Sequence, residues 1–363
     1  MKPYRHIIAL TLLTCASVLS ASAQALSAFT DYRGYLMVFD NGSINKLEYL
    51  PPVSYKSGSA AVAYIDNRND FKIYCHGVSK FQLNAADFKY WVTDYLVAFK
   101  VGQVLYVNDG VDRKTLCYYN TRMALGDSLL GWYDDSQYSF NIYYNKRIAE
   151  LENSLLEPPK SMKAGANTMA WVNQSNFFNV FYQGNVTTLD DIAPIDFAAG
   201  RDIMAWIDNY DRNFHIFYYG DTATAEIFPP DSFKVGYGIM AYVDQLGNFN
   251  AFYDGGTRKL LSDRPDYFLV YGNVIVYAYN NQFNVFYQGK TYPVETYVPR
   301  SLQIGINGVA YMDPGGSLKF FQKGQSYKVT NEYVNKYTLT GDVVKVEVGT
   351  NTCQFFWEGH LYE

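Results

Sequence analysis

The sequence predicts an all-β fold, a β-propeller of about ten four-stranded blades. Three observations point there: a segment of about 35 residues recurs ten times, every copy reads as short strands, and its middle strands are apolar on both faces. The clearest copy is Phe249-Asn-Ala-Phe252-Tyr253-Asp-Gly255, preceded by Met240-Ala241-Tyr242-Val243-Asp244. It returns at Phe178 to Gly184 after Met169-Ala170-Trp171, and at Phe214 to Gly220 after Met204-Ala205-Trp206. The ten copies open at positions 36, 71, 104, 140, 178, 214, 249, 283, 318 and 353. Nine of the ten carry glycine six residues on, where the exception is Lys146, and nine carry a ring at the fourth position, where the exception is Val107. Chance does not keep two positions so constant, so the repeat defines the architecture.

Each unit resolves into strands in order. Phe178 to Tyr182 consists of β-formers and fits no 3.6-residue period. Met169 to Val172 is a second strand, joined to it by a polar loop of the kind that opens with Asp31, Asp66, Asp134, Asn173, Asp208 or Asp244. A short strand follows the terminal glycine, as at Arg258 to Leu261, and proline marks the crossing at Pro159, Pro194, Pro230, Pro265 and Pro299. The fourth strand runs from an apolar residue to glycine: Phe197 to Gly200, Phe233 to Gly236, Leu302 to Gly305. Phe178 and Val180 face one side of the middle strand and Phe181 the other, so the sheet must lie between two others. One blade buries too little to fold alone; stacking on its neighbours supplies the difference. The spacing favours a single ring of ten over two rings of five, and the first blade lacks its leading strand.

Residues 1–23 read as a cleaved signal peptide, with Lys2 and Arg5 before an apolar run and Ala21-Ser22-Ala23 as the cleavage site. The propeller then occupies residues 24–363, in the periplasm or outside the cell. Lipoprotein anchoring at Cys15 is disfavoured because Thr14 precedes the cysteine. Cys75, Cys117 and Cys353 remain, which permits at most one disulfide and matches no metal or redox spacing. The chain carries a net charge of -5 and no later run long enough to span a membrane. Its acidic balance argues against nucleic acid as a partner.

The unit Gly236 to Asp244, Gly-x-x-x-Ala-Tyr-Val-Asp followed by an apolar strand and glycine, resembles the WD40-like, TolB-type propeller repeats of exported bacterial proteins. It departs from them in having Pro230-Asp231-Ser232 where they carry Ser-Pro-Asp-Gly. The Phe178 to Tyr182 strand also resembles that of fungal fucose-binding propeller lectins, whose sugar-gripping Arg and Glu have no consistent counterpart here. Both resemblances concern scaffold positions and imply the fold more than an activity.

Chemistry is sparse. His76, His215 and His360 fall at three different places in the repeat and none pairs with another, so no catalytic, metal or cofactor site is expected. Gly236-Tyr-Gly238-Ile-Met-Ala241 matches a dinucleotide fingerprint in letters only; the parallel copies show that it is the opening of a repeat strand. The acidic loops between second and third strands share one face of a propeller. Asp134, Asp135, Asp208 and Asp211, with Tyr210 and Arg212, are the candidate contact residues there, although turn chemistry explains the aspartates equally well. Tyr64, Trp171, Trp206, Tyr242 and Tyr311 recur at one strand position and are expected to pack between blades; Tyr182, Tyr218, Tyr253 and Tyr287 are expected to pack too, or else to show a wet edge to sugars. The expected function is therefore a non-enzymatic, exported module that binds a protein on one face. A lectin-like propeller that binds glycans is the alternative, and a glycoside hydrolase or lyase with carboxylates around the axis is the second.

Overall fold

A computed structural model describes residues 25–84, 88–110, 112–350 and 352–363. The signal-peptide assignment over residues 1–23 and Cys15 lie outside the described residues. The chain forms ten antiparallel sheets in sequence order, nine of four strands and the first of three. Blade 1 comprises Leu26–Thr30, Leu36–Asp40 and Ser43–Glu48, which correspond to the second, third and outer strands of the other blades. Among the described residues there is no helix, and so none long and apolar enough to cross a membrane.

The predicted repeat openings fall in ten successive third strands, from Leu36–Asp40 to Thr352–Trp357. One shifts: the ladder bulge of blade 3 lies between Leu105 and Tyr106, so Leu105 occupies the place that Leu36 and Phe178 hold in theirs. The recurrent glycines sit in tight hairpins to the outer strand, where two successive residues take positive φ, as at Asn41 and Gly42 or Gln183 and Gly184. Lys146 adopts the same conformation, with φ +64°.

Stability is placed between blades. The apolar core divides into ten clusters, one at each junction. Phe178 and Val180 of blade 5, for example, pack on Phe197, Met204 and Trp206 of blade 6. The tenth junction closes the circle: Phe29 and Phe39 of blade 1 pack on Val343 and Phe355 of blade 10, with Phe39 and Phe355 stacked at 4.9 Å. One continuous ring is the result, not two of five. Middle strands such as Thr168–Val172 and Phe178–Tyr182 are buried throughout, as a sheet covered on both faces requires. The inner edge of Leu26–Thr30, which has no leading strand beside it among the described residues, is served by side chains from both neighbours. Ala28 N–H donates to Ser57 Oγ at 2.9 Å, and the buried Lys345 ammonium donates to Ala28 O at 3.2 Å.

Candidate functional site

Strand direction gives the ring two different faces. The inner strand of each blade ends in a turn that opens on one face, together with the hairpins to the outer strands. The hairpins between second and third strands and the connections between blades open on the other.

The first face is a collar of glycines. In blades 5 to 7 the residue after the collar glycine donates its N–H to the next blade: Ala166 to Gly200 O at 2.9 Å, Arg201 to Gly236 O at 3.0 Å, Tyr237 to Gly272 O at 2.6 Å. A Cβ on Gly200 would lie 2.1 Å from Gly236 O, which explains why the repeat ends its inner strand in glycine. Gly236 and Gly238 of the apparent dinucleotide fingerprint belong to this collar and its turn.

From the collar, side chains cross the axis. Tyr271 of blade 8 donates its hydroxyl to Asp94 of blade 3 at 2.8 Å, and Tyr237 of blade 7 donates to Asp127 of blade 4. The Arg201 guanidinium lies 3.9 Å from the centre of the Tyr237 ring and 5.4 Å from that of Tyr95. This strut divides the mouth of the channel into two lobes, one walled by blades 4 to 8 and one by blades 2 to 4 and 8 to 10. Burial, with Asp94 close by, raises the Asp127 carboxyl above the ordinary range, against the Tyr237 hydrogen bond and Arg201, which lower it. Burial and the same aspartates push the hydroxyls of Tyr237 and Tyr271 up strongly, so both remain donors.

The opposite face holds all six candidate contact residues, in two places. Asp134 is buried, and its Oδ1 accepts from Ser136 N at 2.9 Å and Ser136 Oγ at 2.6 Å; Asp135 accepts from Thr121 N at 3.0 Å. Both stand in blade 4. Two blades away, Asp208 accepts from the amides of Tyr210 and Asp211, and Asp211 from Asn213 N, so these carboxylates also organise their own turn. Tyr210, by contrast, is 86% exposed, and Arg212 is exposed beside it. The hairpins and connections of this face also expose Tyr32, Tyr118, Tyr119, Tyr138, Leu246 and Tyr333, whereas the collar face exposes Val78, Tyr219 and Tyr271.

His215 joins the second group. Asp208, Asp211 and His215 carry donor atoms within 4.8 Å of one another, a nitrogen-and-carboxylate set able to hold a metal ion. Asp190 of blade 5 shares a hydrogen bond with Asp208, and burial together with that contact raises its pKa. In blade 2 the equivalent place is filled by the Lys72 ammonium, which bridges Glu48 at 2.6 Å and Asp66 at 2.8 Å. Reading His215 alone missed its neighbours, which the hairpin brings round.

The recurrent rings pack as expected, with a partner that the motif search did not register. Tyr64, Tyr242 and Tyr311 donate to Glu48, Glu226 and Glu295 at the end of the preceding blade, each 16 residues earlier, and Trp171 donates to Glu152. That fixed spacing was a readable signal. At the junction of blades 3 and 4 Cys117 stands in the glutamate's place, and the buried Trp132 Nε1 has no acceptor among the described residues. Tyr182 and Tyr287 are buried, and the Tyr182 hydroxyl donates to Asp202 at 2.8 Å, so no row of wet sugar-facing tyrosines forms there.

No curated protein matches the chain. Among solved structures it is similar to a computationally designed protein, Ika8 (10% identity, TM-score 0.36, covering 92% of this chain and 99% of that one). It is also similar to the CRINKLY WD40 ectodomain of the Arabidopsis thaliana receptor kinase ACR4 (12%, 0.34, 66% and 97%) and to Hsv2 of Kluyveromyces marxianus (11%, 0.34, 65% and 91%). Residues 20–362 match the family model of the 10-bladed beta propeller domain, and the chain, whose ten blades close as one ring, belongs to that family.

Proposed function

We propose that this protein is a non-enzymatic recognition module that holds a protein partner on the face formed by the second-to-third-strand hairpins and the connections between blades. The concentration of exposed rings and leucines on that face carries the reading: Tyr210, Leu246 and Tyr333 are each more than four-fifths exposed, far above what the opposite face offers. Aromatic side chains are the usual anchors of protein interfaces because they bury much area at little entropic cost. The axial carboxylates Asp94 and Asp127 are each engaged by a tyrosine hydroxyl, an arrangement suited to holding the ring together.

The test is a comparative retention experiment on cell-envelope extract. The wild-type chain should retain a defined protein that a Tyr210→Ser, Leu246→Ser, Tyr333→Ser variant loses, while Tyr219→Ser on the other face keeps it. Equal retention by all three chains would overturn the assignment. An exported setting belongs to the same proposal; it rests on the leader-like residues 1–23 and on the TolB-like strand pattern, and N-terminal sequencing of the mature chain should begin at Gln24.

A further inference from the structure

We propose that the cleft between the inner strands of blades 3 and 4 binds an acidic saccharide, a sugar ring bearing a carboxylate. The cleft encloses about 520 Å³, within the range of small-molecule sites, and opens on the ring-rich face. Its walls include Lys89, Lys100 and Arg122 with the half-buried Trp91, and among the described residues no carboxylate lines it, although the chain as a whole is acidic.

The repeat shows what differs at this junction from blades 2 and 7. In blades 2 and 7 the third residue of the inner strand is a lysine that reaches the next blade. Lys56 donates to Tyr90 O at 2.7 Å and Lys234 to Phe268 O at 2.9 Å, each ammonium lying over the ring it reaches. In blade 3 that position is Trp91, and the next blade offers Met123 where the others present a ring. Neither a bridging lysine nor a ring for it to cover stands at this junction. Cationic charge stands instead at Lys89 and Arg122, immediately before Tyr90 and Met123 on the two inner strands.

The charges are held in place but not neutralised. Lys100 donates to Asn120 O at 2.7 Å and Gln103 Oε1 at 3.3 Å; Arg122 donates to Pro159 O at 2.9 Å and Lys160 O at 3.2 Å. All four acceptors are neutral, and Lys89 makes no ion pair among the described residues. A free carboxylate therefore finds two positioned cations and the exposed Lys89 ammonium, and Trp91 offers an apolar face to the C–H side of a sugar ring. The Gln103 side-chain amide supplies a partner for sugar hydroxyls. The exposed Tyr118 and Tyr119 precede Asn120 on the connection and extend the aromatic surface. The inference goes beyond the protein-binding reading and does not depend on it.

The full chain should be titrated by calorimetry and by tryptophan emission with a galacturonic acid trimer, a neutral galactose trimer, a glutamate-rich peptide and inorganic sulfate. The uronic acid trimer should bind at least about tenfold more tightly than each of the others, and weaken as salt rises from about 0.05 to about 0.5 M. Lys89→Gln, an exposed change that leaves the fold intact, should weaken it by about tenfold, and Trp91→Leu should remove the emission change. The retention of protein partners should be unaffected by Lys89→Gln, which separates failure of this site from failure of the docking face. The proposal is overturned by absence of binding, by equal binding of the neutral trimer, the peptide or sulfate, or by an unchanged affinity in Lys89→Gln.

Discussion

The Tyr271 hydroxyl and the Asp94 carboxylate meet at 2.8 Å although 177 residues separate them and their blades, the eighth and the third, stand opposite in the ring. Only closure of all ten blades brings them together, so the contact reports on the closed ring. Asp94 is buried, and its other oxygen accepts from Ser59 Oγ at 2.6 Å. Tyr271→Phe leaves one oxygen of this carboxylate without a partner and should cost about 2 kcal/mol. Denaturant unfolding of the variant, with the collar-face Tyr219→Phe as control, checks it; equal midpoints would mean that the strut bears no load.

The second strut pair gives a pH dependence of definite sign. Burial and Asp94 raise the Asp127 carboxyl, so the folded chain keeps a proton there at pH values where the unfolded chain has lost it. Its contribution favours the folded state below the ordinary aspartate value of about 3.9 and declines as pH rises through the folded value. Asp127→Asn keeps an acceptor for Tyr237 and removes the titration. It should match wild type near pH 4 and exceed it in melting temperature by a margin that grows toward neutrality. The turn aspartates Asp66 and Asp244 run the other way. Burial alone would raise them, but Lys72 and main-chain amides hold Asp66 low, and Asn248 with Asn250 holds Asp244 low; their contribution is therefore lost as pH falls. Asp244→Asn should accordingly be least stable relative to wild type at neutral pH, and the difference should shrink in acid.

Two backbone positions should respond in opposite senses to a one-carbon logic. Gly200→Ala puts a methyl group 2.1 Å from Gly236 O, a main-chain atom that also accepts the Arg201 hydrogen bond, so neither side can yield. A cost above about 3 kcal/mol, seen as insoluble or partly unfolded protein, is expected. Lys146 instead holds φ +64° at the hairpin position that eight sister copies give to glycine. Lys146→Gly relieves that conformation and should raise stability by about 1 kcal/mol, measurable as a higher urea midpoint.

The ring was legible because each blade repeats the same burial problem, and Phe178, Phe214 and Phe249 announce the same solution at the same spacing. The third copy was misplaced by one residue because the glycine that marks its end, Gly110, comes one residue early relative to Leu105. The Glu226–Tyr242 contact was within reach of the same periodic reasoning, which was applied to rings and not to the acids 16 residues before them. The strut was not readable at all. Asp94, Asp127, Tyr237 and Tyr271 lie in turns that differ from blade to blade, and only the three-dimensional closure selects which turn faces which. The basic cleft stands between these cases: Trp91, Lys89 and Arg122 are visible once the inner strands are aligned, but that they share one cavity depends on the packing of blade 3 on blade 4.

Thiol chemistry tests the described cysteines and the leader together. Cys75, Cys117 and Cys353 are free, and Cys75 and Cys117 are buried in blades 2 and 3. Burial pushes the Cys117 thiol up to about 12 and the Cys353 thiol up to about 11, so neither forms appreciable thiolate at pH 8. The folded protein should therefore react very slowly with a disulfide reagent at that pH. Unfolding in the same reagent, with no reductant added, should release three thiols from a chain that begins at Gln24 and four from a chain that retains Cys15. A count of one would require a disulfide among the three described cysteines, and would contradict their separation into blades 2, 3 and 10.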